Sequence, residues 1–232
     1  KKVLSIHGIY SEQVDALHSK TISTAAKITE TKVLEWADKL TTDSKIVKKV
    51  YKEKSNVDFE FFYAPLDIKK FENLKNIQKK EKQVIFIGRN SHEKGIDIIK
   101  EIETKINAKM VYCTNTKWED AMEELKASSI LIVPSRMESI PQVIKEAFYL
   151  KIPVIATNVG GIPELIINNK TGILVPPNNP EILLKNINEL LTDKKTATEL
   201  SDAGYDFVMK NLTWEVLLPK YIKFYEELIN SK

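Results

Sequence analysis

The chain has a single cysteine, Cys113, among 232 residues. That excludes a disulfide framework and any cysteine-rich metal site, and it suits a reducing compartment. Seven glycines leave little room for a Gly-rich phosphate loop. Neither GxGxxG nor GxxxxGK[ST] follows a strand-like run, which argues against dinucleotide oxidoreductases and P-loop enzymes. HExxH, a GxSxG nucleophile elbow and an Asp-x-Asp pair are also missing, and three scattered histidines make a poor metal set. No apolar run approaches the ~20 residues of a membrane helix, and the charged start Lys1-Lys2 lacks a signal-peptide core.

Arginine is scarce too. Arg89 and Arg136 are the only two among 35 basic residues. Each follows an apolar run, and each offers phosphate or carboxylate a planar fork that lysine lacks. Residues 1–80 carry a balance of +5 and residues 81–232 one of −2, for a net charge of +3. The basic first part would suit an anionic acceptor or membrane surface, but it is spread rather than clustered and reads as a solvated face, and a net +3 is too small to argue for nucleic acid. Hydrophobic residues at 43% against 29% charged are an ordinary globular balance, enough for one large domain or two small ones.

Val3-Leu4-Ser5-Ile6 reads as a strand ending in His7-Gly8, and a polar helical stretch follows over roughly 12–37. Asp38–Thr42 is a weak strand, Ser44 an N-cap for a helix over Lys45–Tyr51, and Asp58–Tyr63 an aromatic-rich strand. Ala64-Pro65-Leu66-Asp67 breaks the pattern, and the Lys/Asn/Gln-rich stretch to Lys82 reads as a linker. Strands over Val84–Ile87, Lys109–Cys113, Ile130–Val133, Pro153–Ala156 and Gly172–Val175 then alternate with helices. Those helices cover Gly95–Ile106, Trp118–Ala127, Pro141–Leu150 and Ile162–Ile167, and others fill 180–191, about 196–210 and 213–230. Continuous apolar strands in this rhythm predict an α/β, doubly wound parallel sheet. Its ligands bind in the loops at the carboxyl ends of the strands.

Two such loops have chemistry. Gly88-Arg89-Asn90-Ser91-His92-Glu93-Lys94-Gly95 places two cations before a helix, a set that suits a diphosphate, although composition alone fits a solvated loop as well. Pro134–Pro141 leads into Gln142–Phe148, with Ser139 a candidate cap and Ile140, Val143, Ile144, Ala147 and Phe148 a buried stripe. Helical rise separates Glu138 from Glu146 by about 12 Å. That is too far to flank one glycosidic bond, which needs ~5–9.5 Å, but it suits the two hydroxyl-rich ends of an extended ligand. Taken alone, both glutamates also fit the surface, Trp118 and Trp214 fit packing, and Cys113 fits a buried strand. His92 and Arg136, in the same two loops, are candidates for further contacts. Gly160-Gly161 reads as a turn and Glu164 as a first-turn acid outside the site.

Four motifs in register then identify a family. They are Arg89-x4-Lys94-Gly95, the Glu-x7-Glu of Glu138 and Glu146 within PSRMESIPQVIKEAF, PVIATNVGGIPELI, and TGILVPP. Over residues 84–177 the chain resembles the nucleotide-sugar domain of a retaining GT-B glycosyltransferase of family 4, glycosyl transferases group 1. The segment from Thr213-Trp214 through Tyr225 is similar to its C-terminal crossover helix, and residues 3–71 to the latter half of its acceptor domain.

The resemblance implies a GT-B type, Rossmann-like fold with an incomplete first domain (residues 1–67), a linker (68–82), the nucleotide-sugar domain (83–212) and the crossover helix (213–232). It implies a hexosyltransferase-type activity that moves sugar from a UDP- or GDP-sugar to a carbohydrate, lipid-linked or protein acceptor. Configuration would be retained by front-face attack, without a protein nucleophile, cofactor or metal. Arg89 and Lys94 would hold the donor diphosphate, and Glu138 would touch sugar hydroxyls. Glu146 would accept from both ribose hydroxyls, while backbone N–H groups of Ser139 and Ile140 would face the phosphate and sugar. His7 would reach the transferred sugar. No nucleic acid is implied, and the location would be cytoplasmic, with peripheral contact at the inner membrane face or a partner chain completing the first domain as open options.

Two departures bear on this. The first half of the acceptor domain is not represented, so a half-sheet should expose edges and apolar surface. Only about 20 residues separate Cys113 from Pro134, so uridine or guanosine preference is open, with Thr114–Trp118 the substitute base-reading segment. Two other readings stand beside the transferase. One is a catalytically idle nucleotide-sugar-binding or partner subunit completed by another chain, and the other a GT-B-fold nucleotide-sugar epimerase.

Overall fold

A computed structural model describes residues 1–8, 20–75 and 77–231, without the side chains of residues 20–23 and 27. Of the helix expected over roughly 12–37, residues 12–19 lie outside the described residues. The chain forms two compact units, Lys1–Ala64 with Leu217–Lys232, and Pro65–Val216.

In the first unit β1 (Val3–Ile6), β2 (Lys39–Thr42) and β3 (Glu60–Phe61) make a parallel sheet in that order. Helices α1 (Lys20–Trp36) and α2 (Lys45–Ser55) connect them. Ser44 caps α2 as expected, its Oγ accepting from the Val47 N–H at 3.4 Å, and Asn56 ends it in the left-handed region. Leu34, Val47, Tyr51 and Phe59 form the core. The strand expected over Asp58–Tyr63 shrinks to two residues. Its aromatic tail leaves the sheet for α9 (Trp214–Asn230): the Phe62 ring lies 5.1 Å from Tyr221 and 5.2 Å from Phe224, and the Tyr221 hydroxyl donates to the Tyr63 carbonyl. Ile28, Val33 and Trp36 of α1, with Ile222 and Ile229 of α9, are exposed apolar groups.

The second unit has a five-stranded parallel sheet, order β5-β4-β6-β7-β8, from β4 (Gln83–Ile87), β5 (Lys109–Cys113), β6 (Ile130–Val133), β7 (Val154–Thr157) and β8 (Ile173–Val175). The helices are α3 (Ile96–Ile102), α4 (Trp118–Ala127), α5 (Gln142–Tyr149), α6 (Ile162–Leu165), α7 (Pro180–Thr192) and α8 (Lys194–Asn211). Every residue of β6 and β7 is buried, which is why these strands read as unbroken apolar runs. Val84, Phe86, Ile99, Ile132 and Ile155 belong to one core with Ile187 and Leu190. The chain runs from β4 outward to β5, then returns to add β6 on the other side. This reversal puts a topological switch point between β4 and β6, where open α/β sheets bind ligands.

The segment read as a linker is docked on this unit. Asp67 caps a 3-10 turn over Ile68–Phe71, and the buried Phe71 ring packs on Trp118 and Tyr149. Farther on, the Lys80 N–H donates to the Ala127 carbonyl at 2.8 Å. No described helix is long and apolar enough to cross a membrane.

Candidate functional site

The loops after β4 and β6 meet at the switch point, where one glycine and one arginine fasten them. The loop after β4 makes a 3-10 turn over His92–Lys94, then Gly95 turns left-handed at φ +70 and α3 begins. A Cβ on Gly95 would stand 2.1 Å from the Pro134 carbonyl oxygen, so only glycine allows this approach. The Arg136 backbone N–H donates to the Glu93 carbonyl at 2.7 Å. Its guanidinium donates to both Asp97 oxygens at 2.7 Å, the His92 carbonyl at 2.6 Å and Asn178 Oδ1 at 2.6 Å.

Arg136 thus ties the loops after β4, β6 and β8 to α3, and it holds the Asp97 carboxyl below the usual carboxylate range. The fork serves the scaffold rather than a ligand. Arg136→Lys keeps the charge and loses the planar geometry. It should lower stability by about 2 kcal/mol in a denaturant titration.

Lys94 and Glu138 come together across this junction. Lys94 Nζ lies 2.6 Å from Glu138 Oε1, which also accepts from Ser135 Oγ at 2.8 Å. The Glu138 side chain is only 9% exposed, so the pair is largely withdrawn from solvent. Thr157 Oγ1 donates to the Ser135 carbonyl, anchoring the same loop to the end of β7. From the next loop Gly160 and Gly161 press against Glu138 and Ser139; a Cβ on Gly160 would stand 1.8 Å from the Glu138 carbonyl oxygen. The sequence reads this pair as a turn, yet its packing is what fixes Glu138.

Ser139 does not cap the helix. Pro141 occupies that position without a side-chain cap bond, and Ser139 Oγ is buried with no hydrogen-bond partner. Ser91 Oγ, in the facing loop, is buried and partnerless as well. Unmet buried hydroxyls in a native site call for a water or ligand. An uncapped helix start also leaves N–H groups that favour an anion. The Ile140 side chain is buried beside Gly161. Helix α5 begins only at Gln142, so the twelve-ångström helical spacing of Glu138 and Glu146 does not apply.

Arg89 is 73% exposed and lies 3.0 Å from Glu93, leaving it free to turn toward a ligand at modest cost. Glu146, on the second turn of α5, accepts from the Trp118 indole N–H at 2.8 Å. Burial pushes its carboxyl up, partly offset by Trp118, Lys145 and Lys70. In the sequence Trp118 fits packing, and no local pattern signals this bond. Arg89, Lys94, Glu138, Ser139 and Ile140 therefore lie on the two facing loops, and Glu146 on the helix that continues the second.

His7 belongs to the other unit. It follows β1, and its Nδ1 lies 3.1 Å from Asp43 Oδ2, just past β2. Asp43, not anticipated from the sequence, fixes the ring orientation and leaves Nε2 as the outward nitrogen. A cavity of about 370 Å³ in the second unit is lined by Lys82, Ile130, Lys151, Pro153 and Leu190. It opens at the amino ends of the strands, away from these loops.

Residues 98–207 match the family described as glycosyl transferases group 1. Glu138, Ser139, Ile140 and Glu146 fall inside that match, and Arg89 and Lys94 precede it. The uncharacterised glycosyltransferase MJ1178 of Methanocaldococcus jannaschii is 35% identical over 48% of this chain and 31% of its own length. MJ1607 of the same organism is 24% identical over 94% of this chain and 65% of its own. The chain thus spans less than two thirds of the length of these relatives. Among solved structures, sucrose-phosphate synthase from Thermosynechococcus elongatus superposes with a TM-score of 0.84 at 20% identity, covering 99% of this chain and 68% of that one. Its likeness shows a GT-B type α/β fold. The parallel sheets, the motif-bearing loops and these relatives agree, and over residues 98–207 the chain is similar to the glycosyl transferases group 1 family.

Proposed function

We propose that the chain is the donor-binding part of a retaining glycosyltransferase that moves a sugar from a nucleoside-diphosphate sugar to an acceptor. The observation that carries this reading is the convergence of Lys94, Glu138 and the partnerless Ser139 hydroxyl at the β4/β6 switch point, beside an uncapped helix start. Anabaena HepE, solved with UDP-glucose, shares the fold at a TM-score of 0.76 and 15% identity over 97% of this chain and 72% of that one, consistent with a nucleotide-sugar donor.

In this reading Arg89 and Lys94 take the diphosphate, and these two cations rather than a metal offset its charge. Backbone N–H groups at Ser139 and Ile140 face the phosphate nearest the sugar. Glu138 holds sugar hydroxyls, and Glu146 accepts from the ribose. The bond from the sugar C1 to the diphosphate oxygen breaks as the acceptor oxygen bonds C1 on the same face, and the acceptor proton passes to the departing phosphate. Preorganised cations favour the charge that develops on the leaving group, the kind of effect that dominates such chemistry. The reaction would be cytoplasmic, with acceptors drawn from carbohydrate, lipid-linked or protein chemistry.

Calorimetric titration with UDP and GDP tests the assignment. Arg89→Ala and Glu146→Ala should each weaken binding more than tenfold, about 1.4 kcal/mol. Glu138→Ala should instead reduce nucleoside-diphosphate release more than affinity. Unchanged affinity in the first two variants would remove the site.

A further inference from the structure

Glu146 is not a free surface carboxylate. Its Oε1 is bonded at 2.8 Å by the indole N–H of Trp118, the first residue of α4. Trp118 is itself fixed on a second side. Its ring meets Phe71 edge-on, with centroids 5.1 Å apart and planes at 77°. Phe71 is buried and packs at 4.7 Å on Tyr149, one helical turn beyond Glu146 on α5. The four side chains close a ring in which two elements outside α5 hold a single carboxylate oxygen. An indole locked by an aromatic neighbour has little rotamer freedom left, so its N–H serves as a preorganised donor.

We propose that Trp118 is a positioning and specificity-determining residue: by engaging one oxygen of Glu146 it presents the other to two vicinal hydroxyls, and so gives the site its preference for a ribonucleotide over a 2′-deoxyribonucleotide. The proposal rests on the reading of Glu146 as the ribose acceptor. A carboxylate pinned through one oxygen cannot rotate to compensate for a lost hydroxyl. A half-buried acceptor left unpaired by a deoxy ligand therefore counts against that ligand.

Charge points the same way. The ionised form of Glu146 is the one that accepts from both hydroxyls. Burial opposes that form, while the Trp118 N–H and the Lys145 and Lys70 ammonium groups favour it. Removing the N–H should raise the carboxyl pKa further. Ribonucleotide affinity would then begin to fail at a higher pH as the solution is acidified.

The test uses whichever of UDP and GDP binds more tightly, together with its 2′-deoxy form. Both are titrated calorimetrically from pH 5 to 8 against the parent chain, Trp118→Phe and Trp118→His. Phenylalanine keeps a ring on Phe71 and removes the donor; histidine returns a ring N–H. The parent should prefer the ribonucleotide by at least tenfold. Trp118→Phe should bring that ratio to within threefold of unity, mainly by weakening the ribonucleotide, and move the acid limb of the profile to higher pH. Trp118→His should recover part of both.

A Trp118→Phe variant that folds and keeps the parent's ratio and profile overturns the role of Trp118 while leaving Glu146 at the ribose. A parent with no ribose preference overturns the ribose reading and this proposal with it. If Trp118→Phe does not fold, the indole N–H resonance of ¹⁵N-tryptophan-labelled parent protein decides. The proposal requires it to move with pH and on ribonucleotide binding, to move less with the deoxy form, and to lose the pH response in Glu146→Ala; a resonance indifferent to all three contradicts it.

Discussion

Lys94→Ala should destabilise the protein by about 3 kcal/mol, because it strands a carboxylate that is only 9% exposed. Glu138 would keep a single neutral donor, Ser135 Oγ, in place of an ammonium at 2.6 Å. Lys94→Ala/Glu138→Gln should recover most of that stability, since a neutral amide no longer needs a cation and can still accept from Ser135. Function should part company with stability here. On the proposed reading the double variant lacks the cation for the diphosphate and the negative charge that strengthens the acceptor for the sugar, so donor turnover should stay down by ~10²–10³-fold. Denaturant melts of the four proteins in the cycle, with nucleoside-diphosphate release measured on the same preparations, check both halves. Recovery of turnover together with stability would make the pair a structural ion pair only.

Gly160→Ala should be nearly as damaging without touching a charged group. Gly160 is left-handed at φ +51, and an added Cβ would stand 1.8 Å from the Glu138 carbonyl oxygen. Backbone cannot yield the way a flexible side chain can, so the Glu138–Ile140 segment would have to move away. The expected result is a loss of about 3 kcal/mol and at least a tenfold loss of donor affinity. Gly172→Ala serves as a comparison: its nearest contact would be 2.9 Å, on the Val154 carbonyl oxygen, farther from the site loops. That change should cost stability with little change in affinity. Equal effects on affinity at the two positions would mean that the turn at Gly160 does not place the Glu138–Ile140 segment.

What the sequence makes legible follows from how local each determinant is. The strands of the second unit are visible because a parallel sheet covered on both faces must be apolar at nearly every position, as β6 and β7 are. Ser44 is visible because a cap bonds within its own turn. The loop residues Arg89, Lys94 and Glu138 stand out as charges next to apolar strands. Their mutual arrangement is less visible, since Lys94 and Glu138 meet across 44 positions of chain.

The features that were missed depend on long-range contacts. Arg136 has the same sequence context as Arg89, and only Asp97, His92 and Asn178 reveal that it is spent on the scaffold. Phe62 and Tyr63 extend an apparent strand until α9 supplies a better partner for their rings. Trp118 is indistinguishable from a packing tryptophan until Glu146 is placed beside it. Phe71 turns an apparent linker into a docked segment for the same reason.

The most direct measurement is a crystal structure of the chain with a bound nucleoside-diphosphate sugar. In that structure the diphosphate should lie against Lys94 and a turned-in Arg89, with the sugar hydroxyls on Glu138 and the ribose hydroxyls on the oxygen of Glu146 that Trp118 leaves open. A nucleotide seated elsewhere, with the Lys94–Glu138 pair untouched and Glu146 facing no ligand atom, would contradict this placement.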